Sequence, residues 1–478
     1  MILIEINTNK CRIVGDRKVV DKVKKFFKVR HPGAFHIRKS GRGSPNWDGQ
    51  IHYITEAGYF KTGLLKQVYD HLVSEYNVTP EFDDQRSELP VKPKLPKTIG
   101  EHDPRKYQGS GILNVIENKV GDVIFPYCVI DAATNAGKST LMAGIYLAYK
   151  RKIPTLVLLN DADLFEQFKK EMPKLVGDDY GYVRGKEQKW GNFTVAMVPT
   201  LARDVRKYVR QLEKVGILLV DEADLSDNKS YKTVIESCPN TVVRVGLSGS
   251  IFLSKLKKDK VKTQNLHGLF GETVFKITKQ EMVDLGFSTE VITKMYEGSD
   301  KPAGLNYKQE YDEHITYNDE RALKCVERVK FNIKLGRLPA LVVCQFHDHI
   351  DLMYKVFQNQ LGKKYTIRYV HGDVNGKIRK KIFEDFATGK IDILISSYIV
   401  KRGKNMPLTK YLLNAAGGKS QETVWQIRGR LERKDDSKKR AYMEDLWDSG
   451  KYLSRHSRRR FIYYKQAGAK VYNKSGRK

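Results

Sequence analysis

The sequence predicts an α/β protein in which two tandem parallel-sheet domains follow a small, basic α+β module. The first observation is that short, β-rich apolar runs alternate with segments of helical periodicity between about residues 101 and 285, and again from about residue 338. Such alternation is typical of parallel sheets covered by helices on both faces. The second observation is a stretch of prolines and lysines between residues 80 and 97, which marks a linker because it suits neither a helix nor a central strand. The length of 478 residues agrees with about three domains.

The apolar runs define the predicted strands and, with the linker, the domain boundaries. In the first domain they lie at 127–130, 155–159, 194–198, 216–220 and 242–247, and in the second at 340–344, 366–370, 391–396 and 411–414. The predicted organisation is a basic N-terminal module (1–84), a Pro/Lys linker (85–100), a first parallel-sheet domain (101–290), a connection (291–310), a second parallel-sheet domain (311–450) and a basic C-terminal segment (451–478).

The charge of the chain favours a polyanionic partner. Lys and Arg number 86 against 56 Asp and Glu, a formal net charge of +30. The excess is concentrated at both ends, since residues 1–66 hold 14 basic and 5 acidic residues and residues 451–478 hold ten basic and no acidic ones. Nucleic acid is the commonest intracellular polyanion, so a nucleic-acid-binding function is expected.

Other classes of protein are disfavoured by composition. No apolar run approaches the roughly 18 residues needed to span a bilayer, and residues 1–5 do not resemble a secretion signal. The five cysteines are scattered without a CxxC pair, so neither a zinc site built on cysteine nor a disulfide framework is expected. We therefore expect a cytoplasmic chain that does not associate with membranes.

A segment after the run 127–130 has the properties of a phosphate-binding loop. It reads Ala-Ala-Thr-Asn-Ala-Gly-Lys-Ser-Thr over 132–140 and opens a helix, although Ala132 stands where such loops usually begin with glycine. Backbone N–H groups at a helix N-terminus bind phosphates, the lysine reaches the β- and γ-phosphates, and the Ser hydroxyl ligates Mg²⁺. The residues predicted to bind ATP here are Thr134, Asn135, Ala136, Gly137, Lys138, Ser139 and Thr140.

A second acidic element supports an ATP-hydrolysing site. The apolar run 216–220 leads directly into Asp221 and Glu222. A carboxylate at this position suits a ligand of Mg²⁺, and the next one suits polarisation of the attacking water. We predict these roles for Asp221 and Glu222 respectively. The run 242–247 then ends in Ser248 and Ser250, small hydroxyl residues suited to sensing the state of the site.

From about residue 103 to 465 these motifs, in their order, resemble superfamily 2 helicases, which implies two RecA-like domains. Arg105, Tyr107 and Gln108 match the family's adenine-reading element. The segment 426–433, Gln-Ile-Arg-Gly-Arg-Leu-Glu-Arg, resembles the family's QxxGRxxR motif. The resemblance implies a catalytic role for Gln426, and it implies that Arg430 and Arg433 are arginine fingers acting on the γ-phosphate.

The segment 393–407 resembles the family's motif that couples nucleotide state to the bound strand. Gly403 and Asn405 match its nucleotide-side positions, with Asn405 in place of the usual Asp. The resemblance also implies contacts between nucleic acid and a further set of residues. That set is Thr200, Ser248, Ser250, Ser397, Arg402 and, in the N-terminal module, Trp47.

Finer features resemble phage recombination helicases of the UvsW type, including Glu310, Arg321 and His371, and the module containing Trp47. This resemblance implies an ATP-dependent, Mg²⁺-dependent DNA helicase or translocase acting on forks, Holliday junctions, D-loops or R-loops. Two alternatives stay open. One is an RNA helicase or RNA–DNA hybrid remodeller, because residues 221–224 spell Asp-Glu-Ala-Asp. The other is a nucleic-acid-binding protein with an ATPase fold that does not hydrolyse ATP.

Overall fold

The computed structural model describes residues 1–40, 47–133, 135–249, 257–304, 306–401 and 406–472. The chain divides into two compact units, Met1–Thr278 and Lys279–Lys478. Within the described part of the chain, none of the helices combines the length and the apolar character needed to cross a bilayer.

The N-terminal module is an α+β structure around one four-stranded sheet of order β5-β2-β1-β6. Helix α1 begins where Asp16 accepts hydrogen bonds from two backbone N–H groups, and α3 ends at Asn77 in the left-handed conformation. The elements are β1 (Ile2–Ile6), β2 (Lys10–Gly15), α1 (Arg17–Phe26), β3 (Lys28–Arg30), α2 (Ala34–Lys39), β4 (Gln50–His52), β5 (Tyr59–Lys61), α3 (Leu65–Tyr76) and β6 (Glu81–Asp84).

The remainder of the first unit is an eight-stranded sheet of order β12-β11-β13-β10-β14-β15-β9-β16, in which β12 alone pairs antiparallel. Its central strands are buried throughout, as expected for a parallel sheet covered on both faces. The elements are α4 (Lys106–Ile116), β7 (Lys119–Val120), β8 (Val123–Ile124), β9 (Tyr127–Ala132), α5 (Lys138–Ala148), β10 (Thr155–Leu159), α6 (Ala162–Val176), β11 (Tyr180–Arg184), β12 (Glu187–Lys189), β13 (Phe193–Met197), α7 (Val198–Arg203), α8 (Val209–Leu212), β14 (Ile217–Asp221), α9 (Lys229–Glu236), β15 (Val243–Ser248), α10 (Lys257–Phe270) and β16 (Thr273–Ile277).

The N-terminal module shares a core with this sheet. Phe125 and Tyr127 belong to the same apolar cluster as the module's strands and helices. The Tyr127 hydroxyl lies 3.2 Å from the backbone oxygen of Thr8 and donates to that of Thr241 at 2.7 Å. At Gly63, a Cβ would lie 2.0 Å from the backbone oxygen of His267, so the module and α10 are in backbone contact. The module is therefore a fixed part of the first unit.

The second unit contains a seven-stranded, all-parallel sheet of order β19-β20-β18-β21-β22-β17-β23. Its elements are α11 (Lys279–Asp284), β17 (Glu290–Glu297), α12 (Tyr307–Tyr311), α13 (Asp319–Lys334), β18 (Ala340–Val343), α14 (His347–Leu361), β19 (Ile367–Val370), α15 (Gly376–Ala387), β20 (Ile393–Ser396), β21 (Tyr411–Asn414), α16 (Gln421–Gly429), β22 (Arg440–Trp447), α17 (Leu453–Gln466) and β23 (Val471–Tyr472).

The predicted fold class, two tandem RecA-like sheets after a small α+β module, is confirmed. One segment contains more structure than its sequence suggested, and a second, for which a basic tail or a basic final helix was expected, contains the helix. The segment 291–310, predicted as a connection, contributes most of β17, whose buried positions alternate along the strand. The basic segment 451–478 forms α17 and β23, and Arg460 is 1% exposed in an ion pair with Asp445. Part of that positive charge is therefore neutralised inside the second unit.

Candidate nucleotide site and nucleic-acid interface

The predicted phosphate loop connects β9 to α5. Asn135 and Gly137 both adopt positive φ angles, 70° and 75°, which turns the chain sharply into the helix N-terminus. A side chain at Gly137 would also meet the amide nitrogen of Gln108 at 2.6 Å. The positive φ angle favours glycine here, and any side chain would also displace the Gln108 amide from its present position. Thr134 lies outside the described residues, whereas Ala136 is buried and Ser139 and Thr140 are half-buried in the first turn of α5.

The side chains of Lys138 and Asp221 meet at the carboxyl edge of the sheet. The Lys138 Nζ lies 2.7 Å from Asp221 Oδ1, and Asp221 is 3% exposed. Burial by itself would lower the pKa of Lys138, but the charge of Asp221 and their hydrogen bond outweigh it and hold the pKa above its ordinary value. The lysine therefore stays charged beside the loop, as phosphate binding requires.

Glu222 adopts an unusual backbone conformation. Its φ and ψ angles are 50° and 49°, the left-handed region that non-glycine residues rarely occupy. Two hydrogen bonds fix the turn that follows. The Ser226 hydroxyl donates to the Ala223 oxygen at 2.6 Å, and the Leu225 N–H donates to the Glu222 backbone oxygen. Strained residues persist where the surrounding structure over-determines them, and they concentrate at functional sites. The conformation supports a catalytic position for Glu222.

Ser248 is connected to the acidic motif. Its hydroxyl donates to Asp224 Oδ1 at 2.7 Å, and the residue is 2% exposed. The contact of Ser248 with nucleic acid stays a prediction, and in this structure the side chain is buried against the acidic motif. Ser248 joins the end of β15 to the turn after Glu222. Ser250 lies outside the described residues.

Sequence reasoning missed Asp131, which precedes the phosphate loop. It is 7% exposed, and burial raises its pKa from 3.8 to about 6, while the charges of Lys276 and Lys138 act in the opposite direction and that of Asp224 raises it further. The signal in the sequence was an acidic residue directly after a buried apolar run. The predicted loop began one residue later, at Ala132.

Asp131 gives a pH-dependent prediction. Its raised pKa means that the folded chain binds this proton more tightly than the unfolded chain does, so its stabilisation is full below about pH 4 and is lost as the pH rises through about 6. We expect Asp131→Asn to raise the thermal unfolding midpoint at pH 8, by the equivalent of on the order of 2 kcal/mol, and to have little effect at pH 4. Asp122→Asn, at an exposed position of the same domain, is the control. An equal shift of the midpoint at both pH values would contradict the assignment.

The predicted adenine-reading residues contact the phosphate loop directly. Gln108 is 4% exposed; its amide nitrogen donates to the Ala136 oxygen at 3.2 Å, and its amide oxygen accepts from the Arg105 N–H at 3.0 Å. The Tyr107 hydroxyl donates to the same Ala136 oxygen at 3.0 Å and accepts from Arg105. The structure thus brings Arg105, Tyr107 and Gln108 together with the loop that the sequence assigned to the phosphates.

In the second unit, the arginine-containing motif lies along α16 and just beyond it. Gln426 is half-buried within the helix and is 3.3 Å from Glu422. Arg430 follows the last helical residue and is 7% exposed, and Arg433 is half-buried. The three predicted residues therefore lie along the second half of α16 and in the segment that follows it.

Glu432, which sequence reasoning missed, fixes this helix end. Its carboxylate accepts from Lys279 at 3.0 Å and from Arg428, and its backbone oxygen accepts from the Thr289 N–H at 2.8 Å. Burial would raise the pKa of Glu432, but Lys279 and Arg428 outweigh it and lower the pKa. The signal in the sequence for this role was an acidic residue placed among the arginines of the motif. Glu432 positions the backbone between Arg430 and Arg433.

The residues predicted to contact nucleic acid belong to different elements of the fold. Thr200 is half-buried in α7 and its hydroxyl accepts from the Gly185 N–H at 2.9 Å. Ser397, 7% exposed, follows β20. The Trp47 indole donates to the Gln50 oxygen at 3.2 Å and its ring meets His31 edge-on, so it stabilises the turn before β4. Arg402, Gly403 and Asn405 lie outside the described residues.

The fold and the order of its motifs define a class of protein: a superfamily 2 helicase, in which nucleotide hydrolysis is coupled to movement along nucleic acid. Two family models match the chain. The model of the type III restriction enzyme res subunit matches residues 101–252, and the helicase conserved C-terminal domain matches residues 326–435. The chain belongs to the superfamily 2 helicases.

The chain is also similar to individual helicases. The chain is 26% identical over 450 residues to the ATP-dependent DNA helicase UvsW of Enterobacteria phage T4, covering 87% of this chain and 85% of the relative. It is 25% identical to the ATP-dependent RNA helicase DHH1 of Candida glabrata, over only 47% of this chain and 38% of that protein. Among solved structures, S. cerevisiae Dbp5 bound to RNA and ADP-BeF3 matches with a TM-score of 0.54 at 14% identity, covering 78% of this chain and 90% of that one, which supports the fold.

Proposed function

We propose that the chain is an ATP-driven DNA helicase or translocase that acts on branched DNA by unwinding or branch migration, in the host cytoplasm if the chain is phage-encoded. The observation that carries the proposal is the Lys138–Asp221 pair at the phosphate loop, followed directly by the strained Glu222. The similarity to the phage DNA helicase covers 87% of the chain, whereas the similarity to the RNA helicase covers less than half of it. This difference favours DNA over RNA.

The residues of the site fit ATP and Mg²⁺. Lys138 offers a charged ammonium to the phosphates, and the helix N-terminus of α5 offers backbone N–H groups. Ser139 and Asp221 supply hydroxyl and carboxylate oxygens, the ligand type that Mg²⁺ prefers. When bound, the metal would neutralise charge on the phosphates. Glu222 would orient the attacking water and accept its proton, and Arg430 or Arg433 would stabilise the charge of the transition state.

We infer that the N-terminal module takes part through side-chain hydrogen bonds to the first parallel-sheet domain. The Tyr53 hydroxyl lies 3.1 Å from Asn265 Oδ1, and the Asn265 amide nitrogen donates to Asp227 Oδ2 at 3.0 Å. Asp227 lies in the segment between Glu222 and α9. We name these three residues the Tyr53 relay. It joins the module to the catalytic segment by side-chain hydrogen bonds within one compact unit, and so offers a route by which substrate binding influences hydrolysis.

The Tyr53 relay gives a specific prediction. Tyr53→Phe keeps the ring and removes the first hydrogen bond of the relay. A hydrogen bond of about 1 kcal/mol limits the coupling that it can carry, so the concentration of junction DNA that half-saturates ATP hydrolysis should rise by up to about fivefold. ATP hydrolysis without DNA should not change, because the ATP-binding residues are untouched. Tyr59→Phe, at an exposed position of β5 in the same module, is the matched control. Equal half-saturating concentrations in Tyr53→Phe and the unmodified chain would exclude a role for the relay.

Branched-DNA activity itself is tested on a labelled four-way junction. The unmodified chain with ATP and Mg²⁺ should convert the junction to duplex products, and a non-hydrolysable ATP analogue should not support the conversion. A chain that hydrolyses ATP in the presence of DNA yet leaves junctions and forks intact would be a translocase with another substrate.

A further inference from the structure

Three potential metal ligands meet at the carboxyl edge of the second sheet, away from the predicted nucleotide residues in sequence. His347 is the first residue of α14, after β18, whereas His371 and Asp373 follow β19. One possible ligand atom from each residue lies within 4.8 Å of the other two. The His347 Nδ1 is 3.2 Å from Asp373 Oδ2, and the centroids of the two imidazole rings are 4.3 Å apart. Two separate loops therefore present three donors to one point.

The donor set selects a kind of ion. Two imidazole nitrogens and one carboxylate oxygen suit Zn²⁺ and related transition ions, whereas Mg²⁺ and Ca²⁺ prefer oxygen ligands. Ligands of one Zn²⁺ at about 2.0–2.2 Å from the ion lie roughly 3–3.5 Å from one another. The ligand atoms of His347 and Asp373 already have that spacing, so only the ligand nitrogen of His371 has to move slightly closer to them.

Neighbouring contacts hold the donors in place. The Tyr369 ring stacks on the His371 ring at 5.8 Å with an interplanar angle of 12°. Arg379, in the first turn of α15, donates to the Gly372 oxygen at 2.9 Å and fixes the loop between His371 and Asp373. His347 is 48% exposed and Asp373 is 76% exposed, so an ion can enter without rearrangement of the core.

We propose that His347, His371 and Asp373 form a binding site for a divalent transition ion, with Zn²⁺ as the ion that their chemistry fits best. The bound ion joins the loop after β18 to the loop after β19. Three protein ligands leave one tetrahedral position open for water or another oxygen ligand. The proposal uses none of the predicted ATP-binding residues and does not rest on the proposed function.

The experiment is a calorimetric titration of the full chain with Zn²⁺ in excess Mg²⁺, which occupies sites made of oxygen ligands. The five cysteines compete little, because all are buried and burial raises the pKa of Cys11 and Cys238 to about 12. We expect one saturable site, and a rise in the thermal unfolding midpoint with Zn²⁺ concentration.

Single substitutions test whether Zn²⁺ binds at these three residues. His347→Ala and Asp373→Asn should each weaken Zn²⁺ binding by more than about tenfold, since even outer partners of metal ligands cost about 10–100-fold. These residues are exposed, so the variants should fold. His102→Ala removes an exposed histidine of the first unit and should bind Zn²⁺ as the unmodified chain does. No saturable binding, or binding that persists unchanged in both triad variants, would overturn the proposal.

Discussion

Glu222→Gln is expected to lower the kcat for ATP hydrolysis by about 10²–10⁴-fold, the contribution of a positioned general base. The substitution keeps the size of the side chain but removes its capacity to accept a proton from water. ATP binding should persist, because Lys138 and the phosphate loop are unchanged, and so should DNA binding. The measurement is steady-state hydrolysis with saturating DNA, together with nucleotide affinity by fluorescence titration.

The control for Glu222→Gln is Glu117→Gln, which makes the same chemical change at an exposed residue after α4. This control variant should hydrolyse ATP at the unmodified rate. Glu222 has a left-handed backbone that glutamine adopts no more easily than glutamate, so the two chains should have similar unfolding midpoints. Normal turnover by Glu222→Gln would remove the basis of the proposed mechanism.

Arg430→Ala is the second large effect, with an expected fall in kcat of about 10³-fold or more, the range in which arginine fingers contribute. We expect a large effect because Arg430 is held in place: it follows the last residue of α16, and the ion pair of Glu432 with Lys279 holds the backbone nearby. A guanidinium held in position needs little reorganisation to act on the transition state. The loss should appear in kcat more than in the affinity for ATP, because a finger acts on charge that develops in the transition state.

Arg430 is buried, so its removal also has to be checked for an effect on folding. The thermal unfolding midpoint and Arg430→Lys, which retains a positive charge without the planar guanidinium, separate the two effects. Lys434→Ala, at an exposed position beyond the motif, is the matched control. A fall in kcat of less than about tenfold in a folded Arg430→Ala chain would transfer the finger role to Arg433 or another residue.

Much of the fold could be predicted because the signals are local. Parallel strands buried on both faces are continuous apolar runs, and the predicted runs 155–159 and 411–414 coincide with β10 and β21. The strand β17 was missed because it alternates buried and half-exposed residues and pairs only with β22 and β23, both distant in sequence. The shared core of the N-terminal module was also beyond local signals, since it depends on Tyr127 meeting Thr8 across the fold.

The candidate site divides in the same way. Lys138, Asp221 and Glu222 could be located because a phosphate loop and an acidic strand end are defined by short segments. Ser248 was also located from the sequence, but its partner Asp224 was not, because Asp224 follows a different strand. Asp131 and Glu432 stand at recognisable places in the sequence, but the shifts of their pKa values depend on burial and on partners such as Lys276 and Lys279, which the local sequence does not reveal.

The central claim is that ATP hydrolysis by this chain is driven by branched DNA. The most direct measurement is steady-state ATP hydrolysis without nucleic acid and with single-stranded DNA, duplex DNA, a four-way DNA junction and RNA. We predict strong stimulation by DNA, greatest with the junction. Stimulation by RNA alone would contradict the claim and make the chain an RNA-remodelling enzyme, and no hydrolysis under any condition would leave only a binding function.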